Sequence, residues 1–301
     1  MMPCETPVAV FIFNRVGPTR ILMNRVAAAR PKNLFVFADG PRQDRPDDAE
    51  RCAEARKAVF DRVDWPCEIH DRLSQKNLGC NGNIVSGCDF LFSKVERAVI
   101  LEDDCIPEVS FFQFCDALLD RYATHGAVQH ICGYNPLGTW QGDSADYLFS
   151  QQCTRAWGWA TWRRAWALYD NEMTSWWQHR SQGTNRPPWF AQVNSDFFNH
   201  FGDELPPTWD YRLSYAILAN SGITIVPKRN LVSNIGHGND ATHSTTKRTA
   251  ARSYEIDQPL RHPASVVIDR DFDGCLQRRL SQKFAHRLAR RIGSIFSQQA
   301  R

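Results

Sequence analysis

The sequence predicts an α/β fold of Rossmann type, a mostly parallel, doubly wound sheet with a less regular second half. Three observations carry this expectation. Short apolar runs rich in β-branched and aromatic residues alternate with helical segments from Val8 onward, the pattern of right-handed βαβ units. The runs are continuous rather than alternating, as in strands covered on both faces. Each ends in polar residues, and one ends in three consecutive carboxylates, Glu102-Asp103-Asp104.

Val8 to Phe13 is the first strand and stops at Asn14-Arg15. Gly17-Pro18-Thr19 breaks the chain, and Arg20 to Ala29 has helical periodicity up to Pro31. Leu34 to Ala38 is a second buried strand, ending at Asp39-Gly40. An acidic, Pro-containing loop from Gln43 to Asp48 leads into a helix over Ala49 to Arg62, and a weaker strand follows at Glu68 to Leu73. Asn77 to Asn83 has Gly/Asn loop composition, and Ile84 to Ser93 is a helix. Ala98-Val99-Ile100-Leu101 is the strand that delivers the carboxylates.

Three polar strand ends therefore meet on one rim: Asn14/Arg15, Asp39/Gly40 and Glu102 to Asp104. Open α/β sheets bind ligands at the carboxyl ends of their strands. Consecutive carboxylates repel and raise one another's pKa, whereas a divalent cation such as Mg²⁺ or Mn²⁺ removes the repulsion. A solvated acidic turn before Pro107 is the alternative reading of the same residues. GxxxxGK[ST] is absent, and no GxGxxG follows the first strand, so the P-loop and dinucleotide readings lack support.

Composition narrows the function classes. A chain of 301 residues that is 43% hydrophobic can bury a large core as one or two domains. A net charge of +3 does not argue for nucleic acid, and no run approaches the ~20 apolar residues of a membrane span. Met1 to Thr6 lacks a basic region and a hydrophobic core, so a cytoplasmic protein is expected. The ten cysteines are scattered and form no CxxC pair, as small buried hydrophobes in a reducing compartment would be.

In the second half, Phe111 to Tyr122 reads as a helix and Val128 to Tyr134 as a strand. Seven of the ten tryptophans fall between Trp157 and Trp189. Trp159, Trp162 and Trp166 have helical spacing, which favours core packing, and Gly158 suggests close backbone approach. Arg180 to Pro188 has the composition of a mobile loop. Pro206-Pro207-Thr208-Trp209-Asp210-Tyr211-Arg212 comes with a helix running to about Ala219, Ile223 to Pro227 is a strand, and Asn234 to Arg248 has loop composition. Near the end, Leu276, Leu280, Phe284, Leu288, Ile292 and Ile295 recur at helical spacing, with Arg278, Arg279, Lys283, Arg287, Arg290 and Arg291 largely on the remaining surface. Such a helix can lie on an anionic membrane surface, peripheral to its inner face, or pack its stripe on the domain.

Over roughly residues 7 to 240 the chain resembles the GT-A fold glycosyltransferases, most closely the N-acetylglucosaminyltransferase I type and bacterial relatives. Four segments carry the resemblance: Val99 to Asp104 followed by Phe111-Phe112; Gly158-Trp159 with Trp166; Trp209-Asp210 followed by Arg212; and Ser233 to Gly238. It implies an inverting transferase moving a hexose or GlcNAc-like sugar from a UDP donor to an acceptor hydroxyl on a glycan or lipid-linked glycan, in bacterial surface glycan synthesis. By the same resemblance Asp104 is the Mn²⁺ or Mg²⁺ ligand and Asp210 the catalytic base. Asn14, Arg15, Asp39, Glu102, Asp103, Trp209, Ser233 and His237 then bind the nucleotide-sugar. Residues 1–105 form the nucleotide-sugar half, 106–255 the acceptor and base half, and 256–301 a basic amphipathic tail. Tyr211 departs from an acidic position in the vertebrate type, and Trp176 to Asp203 has no counterpart. For Asp210 the residues alone also allow a helix N-cap after Pro206-Pro207.

Two other functions compete. A metal-dependent sugar nucleotidyltransferase uses a similar sheet but usually has a Gly-rich, basic phosphate loop, of which Asn14 to Arg20 is a poor version. A noncatalytic sugar- or membrane-binding protein does not require a positioned base, so the carboxylate run together with Trp209-Asp210 speaks against it.

Overall fold

The computed structural model describes residues 3–152, 154–181, 208–236 and 250–279. The expected loop at Arg180 to Pro188 lies mostly outside them, as do His237 and residues 280–301. The N-terminal half runs β1 (Val8–Ile12), α1 (Val16–Ala29), β2 (Asn33–Ala38), α2 (Asp48–Phe60), β3 (Glu68–Leu73), α3 (Gly79–Lys94) and β4 (Arg97–Glu102). Then follow β5 (Cys105–Pro107), α4 (Ser110–Arg121), β6 (Val128–Cys132), β7 (Tyr147–Ser150), β8 (Trp159–Trp162), α5 (Arg163–Trp166) and α6 (Thr174–Ser181). The chain continues through α7 (Trp209–Ala219), β9 (Ile223–Pro227) and β10 (Val232–Asn234), and residues 270–279 are helical.

Eight strands form one sheet in the order β3-β2-β1-β4-β8-β6-β9-β7. β1, β2, β3 and β4 are mutually parallel, as are β6 and β9. β8 is antiparallel to both its neighbours, and β7 is antiparallel to β9. This is the mixed α/β, mostly parallel architecture that the alternating pattern predicts. Side chains of a strand alternate between faces, and the core divides accordingly. Val8, Val10, Ile12, Val99 and Leu101 pack on one face with α1 and α4; Ala9, Phe11, Ala98 and Ile100 pack on the other with α3 and α7.

Four local expectations are corrected. The spacing of Trp159, Trp162 and Trp166 reads as helical, yet Trp159–Trp162 is a strand. There the two rings point to opposite faces and enter different cores, so tertiary pairing with β4 and β6 overrides the period. Gly17-Pro18-Thr19 is not a break but part of the first turn of α1, where the missing proline N–H has no partner to lose. α3 begins at Gly79, five residues before its expected start, because Asp39 accepts the Leu78 N–H at 2.7 Å and anchors the turn. β5, β7 and β10 have no strand reading in the sequence; their three or four residues are too few to show a period.

Gly158 is a close approach, as expected. Its φ is +64°, and a Cβ there would stand 2.7 Å from a Val232 methyl. The described cysteines are free thiols, most of them buried. Among the described residues, no helix is long and apolar enough to cross a membrane.

The described part of the expected tail, 256–279, is built into the domain. Just before it, Glu255 accepts the Ser110 N–H at 2.9 Å and the Val109 N–H at 3.3 Å, completing the start of α4, and the Ile256 N–H donates to the Ser110 hydroxyl at 2.9 Å. Leu260 is buried in the core beneath. Phe272 and Leu276 pack on Leu148 of β7 and Val226 of β9, so at least the first residue of the C-terminal apolar stripe covers the sheet edge. Phe272→Ala should therefore cost about 3–5 kcal/mol by urea unfolding; a cost below about 1 kcal/mol would show that this helix does not hold the edge.

Candidate active site

β1 pairs with β2 on one side and β4 on the other, so the winding reverses between β1 and β4, where open α/β sheets bind ligands. A cavity of about 790 Å³ opens there, within the range of small-molecule sites. Asn14 and Arg15 face it from the β1–α1 link, Asp39 from the end of β2, Glu102 to Asp104 from β4, and Trp209 with Asp210 from α7. The structure thus gathers eight of the nine described residues that the sequence reading nominated. Ser233 is the ninth and lies outside the cavity, its hydroxyl donating to the Ala251 carbonyl.

The carboxylates are crowded around one cation. Arg15 Nε donates to Asp103 Oδ2 at 3.2 Å, Nη2 donates to Asp103 Oδ1, and Nη1 donates to Asp104 Oδ2 at 2.9 Å. Asp103 is 2% exposed; burial pushes its carboxyl up to about 6, against the opposing pull of Arg15. Glu102 has no hydrogen-bond donor among the described residues. Burial, followed by Asp104, Asp103 and Asp210, raises its pKa well above the ordinary carboxylate range.

Trp209 anchors the other wall. Its ring is buried and lies 5.7 Å from that of Trp159, and its backbone N–H donates to Asn81 Oδ1 at 2.9 Å. The residue preceding α7 is Thr208, with extended backbone, and Asp210 sits in the first turn. The N-cap reading of Asp210 is thereby replaced: its carboxylate faces the cavity, and no hydrogen bond ties it down among the described residues. Asp39 is more committed. Oδ1 accepts the Gly40 and Leu78 N–H groups at 2.8 and 2.7 Å, and Oδ2 accepts Asn77 Nδ2 at 3.1 Å.

The sequence reading missed several side chains. Asn234 Nδ2 donates to Asp104 Oδ1 at 3.1 Å, brought there because Asn234 pairs with Cys105 across β10 and β5. Strand alternation turns Ser233 away as it turns Asn234 in. Gly236 follows, and a Cβ on it would overlap Asp104 Oδ2. Asp48, buried at the head of α2, accepts from Asn14 Nδ2 at 2.7 Å and from Arg42 Nη2 at 3.0 Å. The Arg42 hydrogen bond is the main reason that its pKa falls to about 2. No signal in the sequence pairs Asn14 with Asp48, whereas the Asn-x-Gly of residues 234–236 is a turn signal that points to the close approach.

The donor set suits a hard divalent cation, since carboxylate oxygens are what Mg²⁺ and Mn²⁺ take. Among the described residues no three His, Cys, Asp or Glu side chains are grouped to cage an ion. One or two carboxylates suffice when the ion is shared with substrate phosphates, and the Asp103–Asp104 pair outnumbers the one guanidinium that it contacts. The residues fit such an ion.

No protein-family model matches this chain, and no curated protein sequence matches it. Among solved structures it is similar to UDP-glucose pyrophosphorylase complexed with UDP-glucose. The identity is 8%, the match covers 76% of this chain and 93% of the other, and the TM-score is 0.36. A likeness that distant says nothing of activity.

The raised pKa values have a thermodynamic consequence. The folded protein binds these protons more tightly than the unfolded chain, so their contribution to stability grows as pH falls, for Asp103 through about 6 toward the ordinary carboxylate range and for Glu102 in the same direction. Glu102→Gln should raise the unfolding midpoint at neutral pH and shrink the gain on acidification. A thermal melt series in which the variant and the natural protein show the same pH dependence would refute this.

Proposed function

We propose that this protein is a cation-dependent, inverting glycosyltransferase of GT-A type. It moves a sugar from a nucleotide-diphosphate donor, a UDP-hexose or UDP-GlcNAc-like compound, to an acceptor hydroxyl in surface glycan synthesis. The supporting observation is that the Glu102-Asp103-Asp104 run and the Asp210 carboxylate share one cavity. A charge-stabilising site and an unengaged base are what attack by a hydroxyl on an anomeric carbon requires.

In this reading Asp104 holds the cation. Once bound, Mn²⁺ or Mg²⁺ supplies Lewis-acid neutralisation of the charge that builds on the leaving diphosphate. Asp210 takes the proton of the acceptor hydroxyl, and one displacement inverts the anomeric centre. Asn14, Arg15, Asp39, Glu102 and Asp103 line the donor side. Trp157, Trp209 and Tyr211 also line the cavity, and aromatic faces of this kind suit the apolar faces of sugar rings. Ser233 keeps at most an indirect role through Asn234, and His237 lies outside the described residues. The nucleotidyltransferase reading is less well supported, because only Phe13, Asn14 and Arg15 link β1 to α1, which leaves no room for a Gly-rich phosphate loop there.

Incubation with a panel of nucleotide sugars and Mn²⁺, reading nucleotide release and thermal shift, tests the proposal; pyrophosphate-dependent release of a sugar phosphate would favour the nucleotidyl alternative. Asp210→Asn should leave stability and donor binding near normal and reduce transfer by about two to four orders of magnitude. Asp104→Ala should abolish transfer and cation-dependent nucleotide binding while the fold persists, and unchanged turnover in Mn²⁺ would end this mechanism.

A further inference from the structure

Every oxygen of Asp103 and Asp104 already has a donor. Arg15 spans both oxygens of Asp103 and reaches Asp104 Oδ2 at 2.9 Å. The remaining Asp104 oxygen accepts from Asn234 Nδ2 at 3.1 Å and from the Cys105 thiol at 3.4 Å. Gly236 packs against the same place: a Cβ there would overlap Asp104 Oδ2 and stand 3.1 Å from Arg15 Nη1. The Arg15 side chain is only 17% exposed and that of Asp104 15%, so solvent screens little of the attraction between them.

A divalent ion cannot take Asp104 Oδ2 while the guanidinium holds it. Two cations on one oxygen repel, and the space beside that oxygen is already filled by Gly236. Moving Arg15 away uncovers the buried Asp103 carboxylate, which is costly unless another charge arrives. A diphosphate removes both obstacles. Its oxygens complete the ion's coordination, and they offer the displaced guanidinium a bidentate partner.

We propose that Arg15 is the resident counter-ion of the carboxylate cluster and competes with a divalent cation for Asp104, so that cation and diphosphate bind cooperatively and the cation alone binds weakly. The inference rests on the reading of Asp104 as the cation ligand, but not on the sugar, the base or the reaction. Linkage makes the coupling reciprocal: the factor by which diphosphate tightens the cation is the factor by which the cation tightens diphosphate.

The test is calorimetric titration of the full chain with Mn²⁺ alone and with Mn²⁺ in the presence of inorganic pyrophosphate. In the natural protein pyrophosphate should tighten Mn²⁺ by at least about tenfold, the size expected of a neighbouring like charge being relieved. Arg15→Met should bind Mn²⁺ alone at least about tenfold tighter than the natural protein, Arg15→Lys should retain weak binding, and adding Asp104→Asn to Arg15→Met should cancel the gain. Equal Mn²⁺ affinity with and without pyrophosphate in the natural protein overturns the proposal, whatever the variants do. So does an Arg15→Met protein whose Mn²⁺ affinity is unchanged or lower, or a gain that survives Asp104→Asn. Because pyrophosphate carries neither sugar nor base, absence of sugar transfer would count against the functional reading alone.

Discussion

One end of the cavity is governed by the mutual repulsion of Glu102, Asp103, Asp104 and Asp210, with the Arg15 guanidinium paired to Asp103 and Asp104. Arg15 offsets one charge of the Asp103–Asp104 pair that it touches, and Glu102 remains under the influence of its acidic neighbours. A structural ion-pair network would ordinarily be closer to balance, because buried charge without a partner destabilises the fold. The imbalance is concentrated where α7, the β1–α1 link and the end of β4 meet. Perturbed titratable groups in a concave, partly buried place are a mark of functional sites.

The rest of the fold keeps these groups in place. β4 lies between β1 and β8; β8 pairs with Arg97 to Ile100, and the carboxyl end through Glu102 is held by β1. The Asp103 N–H donates to the Phe11 carbonyl at 3.0 Å, carrying the β1–β4 ladder one residue past the strand. On the opposite wall, Trp159 of β8 supports Trp209, which fixes the first turn of α7 and with it Asp210. Trp166 stacks with Tyr169 and donates to Asp89 on α3. The tryptophan-rich block is thus a brace between sheet and helices.

Much of this was legible because β1, β2 and β4 are buried on both faces and therefore spell continuous apolar runs. The bounds of β9 agree with the sequence reading to the residue, as do those of the exposed, polar β3. The carboxylates were legible for a different reason, since three in a row at the end of a buried strand repel one another and gain little structurally; Asp210 was legible through the resemblance, because an acidic residue at a helix start is also an ordinary cap. What stayed hidden depends on partners distant in sequence. β8 takes its conformation from β4 and β6, the first turn of α3 from Asp39, and the position of Asn234 from Cys105, 129 residues away. Local periodicity contains none of this. Ser233 was chosen over Asn234 because a resemblance locates a segment but not its register.

The closure of α4 by Glu255 reaches beyond architecture. The helix after the carboxylate strand has its first N–H groups satisfied by a side chain 145 residues later, and Asp104 receives its amide partner 130 residues later. A ribosome-bound chain that has emerged only to β9 already contains β1 to β4 with all four carboxylates, yet lacks Asn234, Gly236 and Glu255. Such long-range closure makes folding slow relative to chains whose contacts are local. During synthesis the cluster's charge is therefore assembled before the residues that enclose it, and the cavity acquires its final walls only as the last fifth of the chain arrives.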